Sequence, residues 1–209
     1  MTRTLKYALI PLALAAALPF TSLASDKPAA RPAAPPEMSA EQKAMMDAYT
    51  AAGAPGPKHA ALAKMEGEYD LLITSWEAPG QPPVVEKGTA TRKMMLDGRV
   101  MVEDTQSSNH GQPFVGHGMQ GYDNVSGKYW GTWNDSMSTG MMASEGTCDD
   151  KGACTFNGSW NDPITKGKVN ARMTTRWTDA NTEVFEMYAP GADGKEAKMM
   201  EITYTKRAK

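Results

Sequence analysis

Soft and reactive donors are scarce in this chain: its 209 residues include two cysteines and three histidines. His59, His110 and His117 stand far apart and show none of the close ligand spacing of a zinc site, nor the partners of a nucleophilic triad. No metal is therefore expected. Positive charge is not in excess either. Lys and Arg number 22 against 24 Asp and Glu, for a net charge of −2, and no basic stripe marks a nucleic-acid partner. After the first two dozen residues, no apolar run approaches the roughly 20 residues needed to cross a bilayer as a helix.

The N-terminus is the exception to this polar pattern. Arg3 and Lys6 precede an apolar stretch from Tyr7 to Leu18, and Ser22-Leu23-Ala24 supplies small residues before a cut. Pro11 and Pro19 interrupt the stretch, so residues 1–24 read as a cleaved secretory signal rather than an anchor, and the mature protein is expected to be periplasmic or secreted. Residues 25–37, "SDKPAARPAAPPE", have the Pro and Ala content of an extended leader. In an oxidising compartment, Cys148 and Cys154 read as a disulfide. The intervening "DDKGA" is turn chemistry, which lets the two face each other across a hairpin as a local staple.

Residues 38–66 carry two short helical patterns. In the first, Ser39 and Gln42 form a capping box, Met45, Met46 and Tyr49 form a weak stripe, and Gly53 is a stop. The second starts at Pro57, with Leu62 and Met65 inward. From residue 67 to 207 the pattern changes to alternation broken about every ten residues by Gly, Asn, Asp or Ser. Strands are expected over 69–77, 83–95, 99–107, 112–122, 128–135, 139–148, 153–160, 168–178, 182–188 and 196–206. No connection is long enough for a crossover helix, so the fold class is all-β: an antiparallel up-and-down meander of about ten strands, closed into a barrel to remove its edges.

Several segments carry a resemblance: "PGPKHAALAKMEGEYD", "KGTATRKMMLDGRVMVED", "GHGMQGYDNVSGKYWGTWNDSMSTGMMASEGT" and "FEMYAPGADGKEAKMMEITYTKR". Together they resemble the bacterial family catalogued as domain of unknown function 1579. That resemblance implies a lipocalin-like, calycin-type barrel in which a short helix precedes a Gly-x-Trp on the first strand. Gly67-Glu68-Tyr69 holds that place here, with Tyr for Trp. Some ten-stranded barrels of this type bind haem through a late histidine; no histidine follows His117, and no cofactor is expected.

Sixteen methionines raise copper(I) chemistry. The doublets Met94-Met95, Met141-Met142 and Met199-Met200 fall in expected strands, where neighbours point to opposite faces, so adaptable filler for a core or cavity is the better account. His117 alternates with Val115 and Met119 between Gly116 and Gly118, which permit close approach. Trp76 and Trp133 are candidate cavity walls, since Tyr129 and Trp133 share one face and Trp130 takes the other. Arg176, Glu186, Tyr188 and Glu201 fall on strand faces whose inward or outward sense the sequence leaves open. The candidate lumen set is thus Trp76, His117, Met119, Trp133, Arg176, Glu186, Tyr188 and Glu201. The expected function is binding of a small, mainly apolar molecule in the barrel. The alternatives are a barrel hydrolase or isomerase using Glu186, Glu201 or Asp135 with Arg176, and an interaction module without a cavity. The sequence does not specify an oligomeric state.

Overall fold

A computed structural model describes residues 38–77, 80–191 and 193–208. The expected signal and leader, residues 1–37, lie outside the described residues.

Two helices come first. In α1 (Ala40–Gly53), Ser39 Oγ accepts from Gln42 N at 3.1 Å and Gln42 Oε1 accepts from Ser39 N at 2.8 Å, so two otherwise unpaired N–H groups are satisfied reciprocally. No residue of α1 is buried. In α2 (Pro57–Ala63), proline takes the first turn and His59 Nδ1 accepts from Gly56 N at 3.0 Å, while His59 and Leu62 are buried.

Ten strands follow: β1 (Gly67–Ser75), β2 (Val84–Met95), β3 (Val100–Asn109), β4 (Gln112–Asp123), β5 (Lys128–Asp135), β6 (Met142–Cys148), β7 (Cys154–Asn161), β8 (Lys168–Trp177), β9 (Thr182–Pro190) and β10 (Glu196–Lys206). Each pairs antiparallel with its sequence neighbours, and β1 pairs with β10, with Leu71 opposite Tyr204 and Ile73 opposite Ile202, to close the barrel. The largest departure from the expected bounds is at β6, which starts at Met142 rather than at residue 139. The preceding segment is held as a turn instead: Asp135 Oδ1 accepts from Met137 N and Asn134 Nδ2 donates to Gly140 O, both at 2.9 Å.

The two ends of the barrel differ. At the end where β1 begins and β10 finishes, α2 packs on β2, β3 and β4 and its Leu62 joins Tyr129, Phe156 and Met173 in one buried cluster. A second cluster, Tyr69, Leu71, Ile73, Ala90 and Tyr204, fills the bore behind β1. At the other end, the last residues of β1, β3, β5, β7 and β9 and the first of β2, β4, β6, β8 and β10 form the rim of the mouth.

Candidate functional site

Strand register decides which side chains enter the bore, because opposed residues on neighbouring strands share a face. Tyr69, Leu71 and Ile73 set the inward phase on β1, and pairing carries it around the barrel. In the helix-capped half, Tyr69, Leu71, Arg92, Tyr129, Phe156, Met173, Glu183 and Tyr204 are buried, with Met94, Tyr122, Trp177 and Phe185 half-buried against them. Towards the mouth, Phe114, Trp133, Met142, Trp160, Met187 and Met200 also face inward and are half-buried, with Met142 and Met187 packed against the buried cluster below. The mouth-side inner wall is mainly apolar and aromatic, with Glu86 and Asp135 among its polar members.

Trp133 is the best-fixed ring in that wall. Its indole lies over Gly116 and Gly118 on the neighbouring β4: a Cβ on Gly116 would overlap Cζ2, and one on Gly118 would lie 3.1 Å from Cε3. Trp133 Nε1 donates to Asp135 Oδ2 at 3.0 Å, which locks the ring in plane.

Below it lies a polar cluster. Arg92 Nε donates to Glu103 Oε2 at 2.6 Å and its Nη1 to Glu183 Oε2; the three side chains are only 6%, 12% and 2% exposed. Thr105 Oγ1 and Tyr204 OH donate to the other Glu103 oxygen at 3.1 and 3.2 Å. The guanidinium carbon lies 4.9 Å from the Tyr69 ring centre and 4.3 Å from that of Tyr204, so two aromatic faces replace part of its hydration. Burial works against the charge on Arg92, but the Glu103 and Glu183 carboxylates outweigh it and keep the guanidinium protonated well beyond its ordinary range. Burial and the Glu103 charge push the Tyr204 hydroxyl well above its ordinary value; burial also raises Tyr69, with Arg92 pulling the other way.

Sequence reasoning missed Arg92 and Glu183 as inward residues. The signal was present: Arg92 alternates with Ala90 and Met94, and Glu183 with Phe185 and Met187, all inward positions. A charged residue inside an apolar alternation reads as a register error until its partner, distant in sequence, is known.

Of the candidate lumen residues, the structure brings only Trp133 inside. His117 and Met119 face outward because Gly116 and Gly118 take the inward phase of β4 beneath the indole; Met119 is 40% exposed, and His117 Nδ1 meets Asp104 Oδ1 at 2.7 Å on the outer wall. Arg176, Glu186, Tyr188 and Glu201 are also outside, since Ala171 and Met173 on β8 and Phe185 and Met187 on β9 occupy the inner face. There they form a belt. Glu186 accepts from Arg176 Nη1 at 3.0 Å, Thr174 Oγ1 at 3.3 Å and Lys198 Nζ, and Lys198 also reaches Glu201 at 2.8 Å. The Lys198 hydrogen bond holds the Glu186 carboxyl below its ordinary range, and the same contact raises the Lys198 ammonium. Arg172 stacks 4.1 Å above the Tyr188 ring and grips Glu196 with a fork of two hydrogen bonds. Trp76 lies just past the end of β1, its ring 5.9 Å from Lys198 Nζ.

The residues required by the hydrolase or isomerase alternative do not converge. Glu186, Glu201 and Arg176 are on the outer wall, whereas Asp135 faces inward at the mouth. Cys148 and Cys154 form the expected disulfide across the β6–β7 hairpin, their Cα atoms 3.9 Å apart. Among the described residues, no group of three His, Cys, Asp or Glu side chains is placed to hold a metal ion.

Among solved structures, the chain is similar to the crystal structure of Rv2717c from M. tuberculosis, with 12% identity, coverage of 74% of this chain and 100% of that one, and a TM-score of 0.57. At that identity the likeness is one of fold. A redesigned beta barrel matches at 10% identity over 71% of this chain and 96% of its own, with a TM-score of 0.38. No curated protein matches. The family model for the protein of unknown function DUF1579 covers residues 54–206, from the loop before α2 to the last residue of β10, and the chain belongs to that family.

Proposed function

We propose that this protein is an exported binding barrel that holds a small, mainly apolar molecule in the mouth half of its bore without transforming it. The observation that carries the reading is the incomplete burial of inward-facing rings and thioethers towards the mouth, Phe114, Trp133, Trp160 and Met187 among them. Such walls are costly to leave wetted, and a ligand that covers them recovers about 25 cal/mol per Å² of apolar surface removed from water. Fixed aromatic rings supported by glycine backbone give a preformed surface, which limits the ordering cost of binding. Export is supported by the signal-like N-terminal sequence and by the disulfide, which persists in oxidising compartments.

The test is native mass spectrometry of protein purified from its own host, together with titration of a neutral fluorescent probe, N-phenyl-1-naphthylamine. A co-purifying adduct and saturable fluorescence enhancement are expected. Ser144→Phe, at a half-buried inward position on β6, fills the bore and should weaken probe binding at least about tenfold. Unchanged binding in that variant places the probe elsewhere and ends the reading.

A further inference from the structure

The three histidines do not share one environment. His110 lies 3.3 Å from Glu77 and His117 2.7 Å from Asp104, and both imidazoles are more than half exposed, so either imidazolium meets a carboxylate and water. His59 is 5% exposed and forms no ion pair among the described residues.

His59 is the third helical residue of α2, the place that Gln42 holds in α1, and it does the same work. Each accepts from the backbone N–H just before its helix: Gln42 Oε1 from Ser39 N at 2.8 Å, and His59 Nδ1 from Gly56 N at 3.0 Å. A backbone N–H only donates, so this bond fixes the His59 tautomer, with Nδ1 bare and the proton on Nε2. The two acceptors differ in one respect. An amide oxygen keeps its lone pairs at any moderate pH, whereas a proton added to His59 lands on Nδ1, removes the acceptor and turns two donors towards each other. Gly56 has no side chain with which to cap the helix in its place.

The groups around this point are engaged elsewhere. On β4, Tyr122 meets the His59 ring edge to face at 5.9 Å, and Asp123 accepts from Val125 N and Ser126 N. Glu66 accepts from Met94 N of β2, and Arg99, next to β3, donates to Gly53 O. Lys58, Lys64 and, on β2, Lys93 are themselves cations, and Lys206 of β10 donates to Lys64 O. What α2 holds is the base of the barrel: Leu62, three residues after His59, is 3% exposed in the cluster with Tyr129, Phe156 and Met173.

We propose that His59 is an acid-sensitive latch. Protonation at Nδ1 breaks the cap on Gly56, leaves an uncompensated charge in a closed site, and releases α2 with Leu62 from the base of the barrel while the ring of strands stays paired. The latch holds while the imidazole is neutral and is lost as pH falls.

Hydrogen exchange of the purified protein, read by mass spectrometry and corrected for the pH dependence of intrinsic exchange, tests it. From about pH 8 to about pH 5, the span over which histidine changes charge, amides of residues 60–65 should lose protection about tenfold or more, the effect of a buried donor losing its acceptor, while the strands keep theirs. His59→Gln, which puts the acceptor of α1 on α2, should hold its protection at the acid end, and His117→Gln should behave as the wild type. An unchanged wild-type protection, an equal loss in His59→Gln, or a loss spread evenly over the strands overturns the proposal. Should His59→Gln not fold, NMR of the wild-type imidazole nitrogens decides. Nδ1 should be bare at the alkaline end and take up its proton in step with the loss of α2 protection; protonation that leaves α2 protected overturns the latch.

Discussion

Arg92 keeps two buried carboxylates tolerable at the base of the bore, so its loss is felt as repulsion and desolvation more than as a missing bond. Arg92→Met should cost about 3–5 kcal/mol by urea denaturation at neutral pH, because Glu103 and Glu183 are left without a counter-charge. Adding Glu103→Gln and Glu183→Gln to that variant should restore much of the loss; a cost below about 1 kcal/mol for the single change would show that the cluster is well hydrated. Gly116 is fixed by a different force, the close approach of the Trp133 indole. Gly116→Ala should destabilise by about 1–3 kcal/mol and alter the near-ultraviolet circular dichroism of the indole, and most of that cost should vanish in a Trp133→Leu background.

Among the elements, the two helices have unequal roles. α1 buries nothing and is tied to the barrel near its end, where Asn124 Nδ2 donates to the Ala52 and Ala54 carbonyls at 3.0 and 2.8 Å and Arg99 Nε donates to Gly53 O at 2.9 Å. α2, though half as long, seats Leu62 in the core. A chain that begins at Ala54 should therefore unfold at nearly the same urea concentration as the full chain, whereas Leu62→Ala should cost about 2–5 kcal/mol. The outer belt on β8, β9 and β10 contributes through charge. Since Glu186 titrates below its ordinary value in the folded state, its contribution is complete above the ordinary carboxylate range and is lost as pH falls through the lowered value. The stability gap between the wild type and Glu186→Gln should be about 1 kcal/mol near neutrality and close as pH falls below the ordinary carboxylate range; a gap independent of pH would mean the Lys198 contact is not ionic.

For the whole molecule, closure is the property that removes the sheet's edges. β1 and β10 pair through a continuous ladder from Tyr69 with Lys206 to Ser75 with Met200, and this leaves no free edge among the described strands. A chain that stops at Pro190 loses β10 and exposes the edges of both β1 and β9, so it should self-associate in sedimentation velocity and lose its cooperative unfolding transition. A monomeric, cooperatively folding truncation would show that the sheet tolerates opening.

The sequence by itself determined the strand count, the antiparallel meander, the capping box at Ser39 and the β6–β7 disulfide, because each follows from contacts between near neighbours: turn residues, alternation and cap hydrogen bonds. Tertiary structure decided which face of each strand points inward. A strand's two faces are exchanged by a one-residue slip, so the placement of His117, Met119, Arg176, Glu186, Tyr188 and Glu201 outside, and of Trp133 inside, waited on the pairing of the whole ring. The Arg92 cluster waited on it too. Arg92 and Glu183 are 91 positions apart in the chain, and they meet only because the meander closes on itself and brings β2 within reach of β9 across the bore.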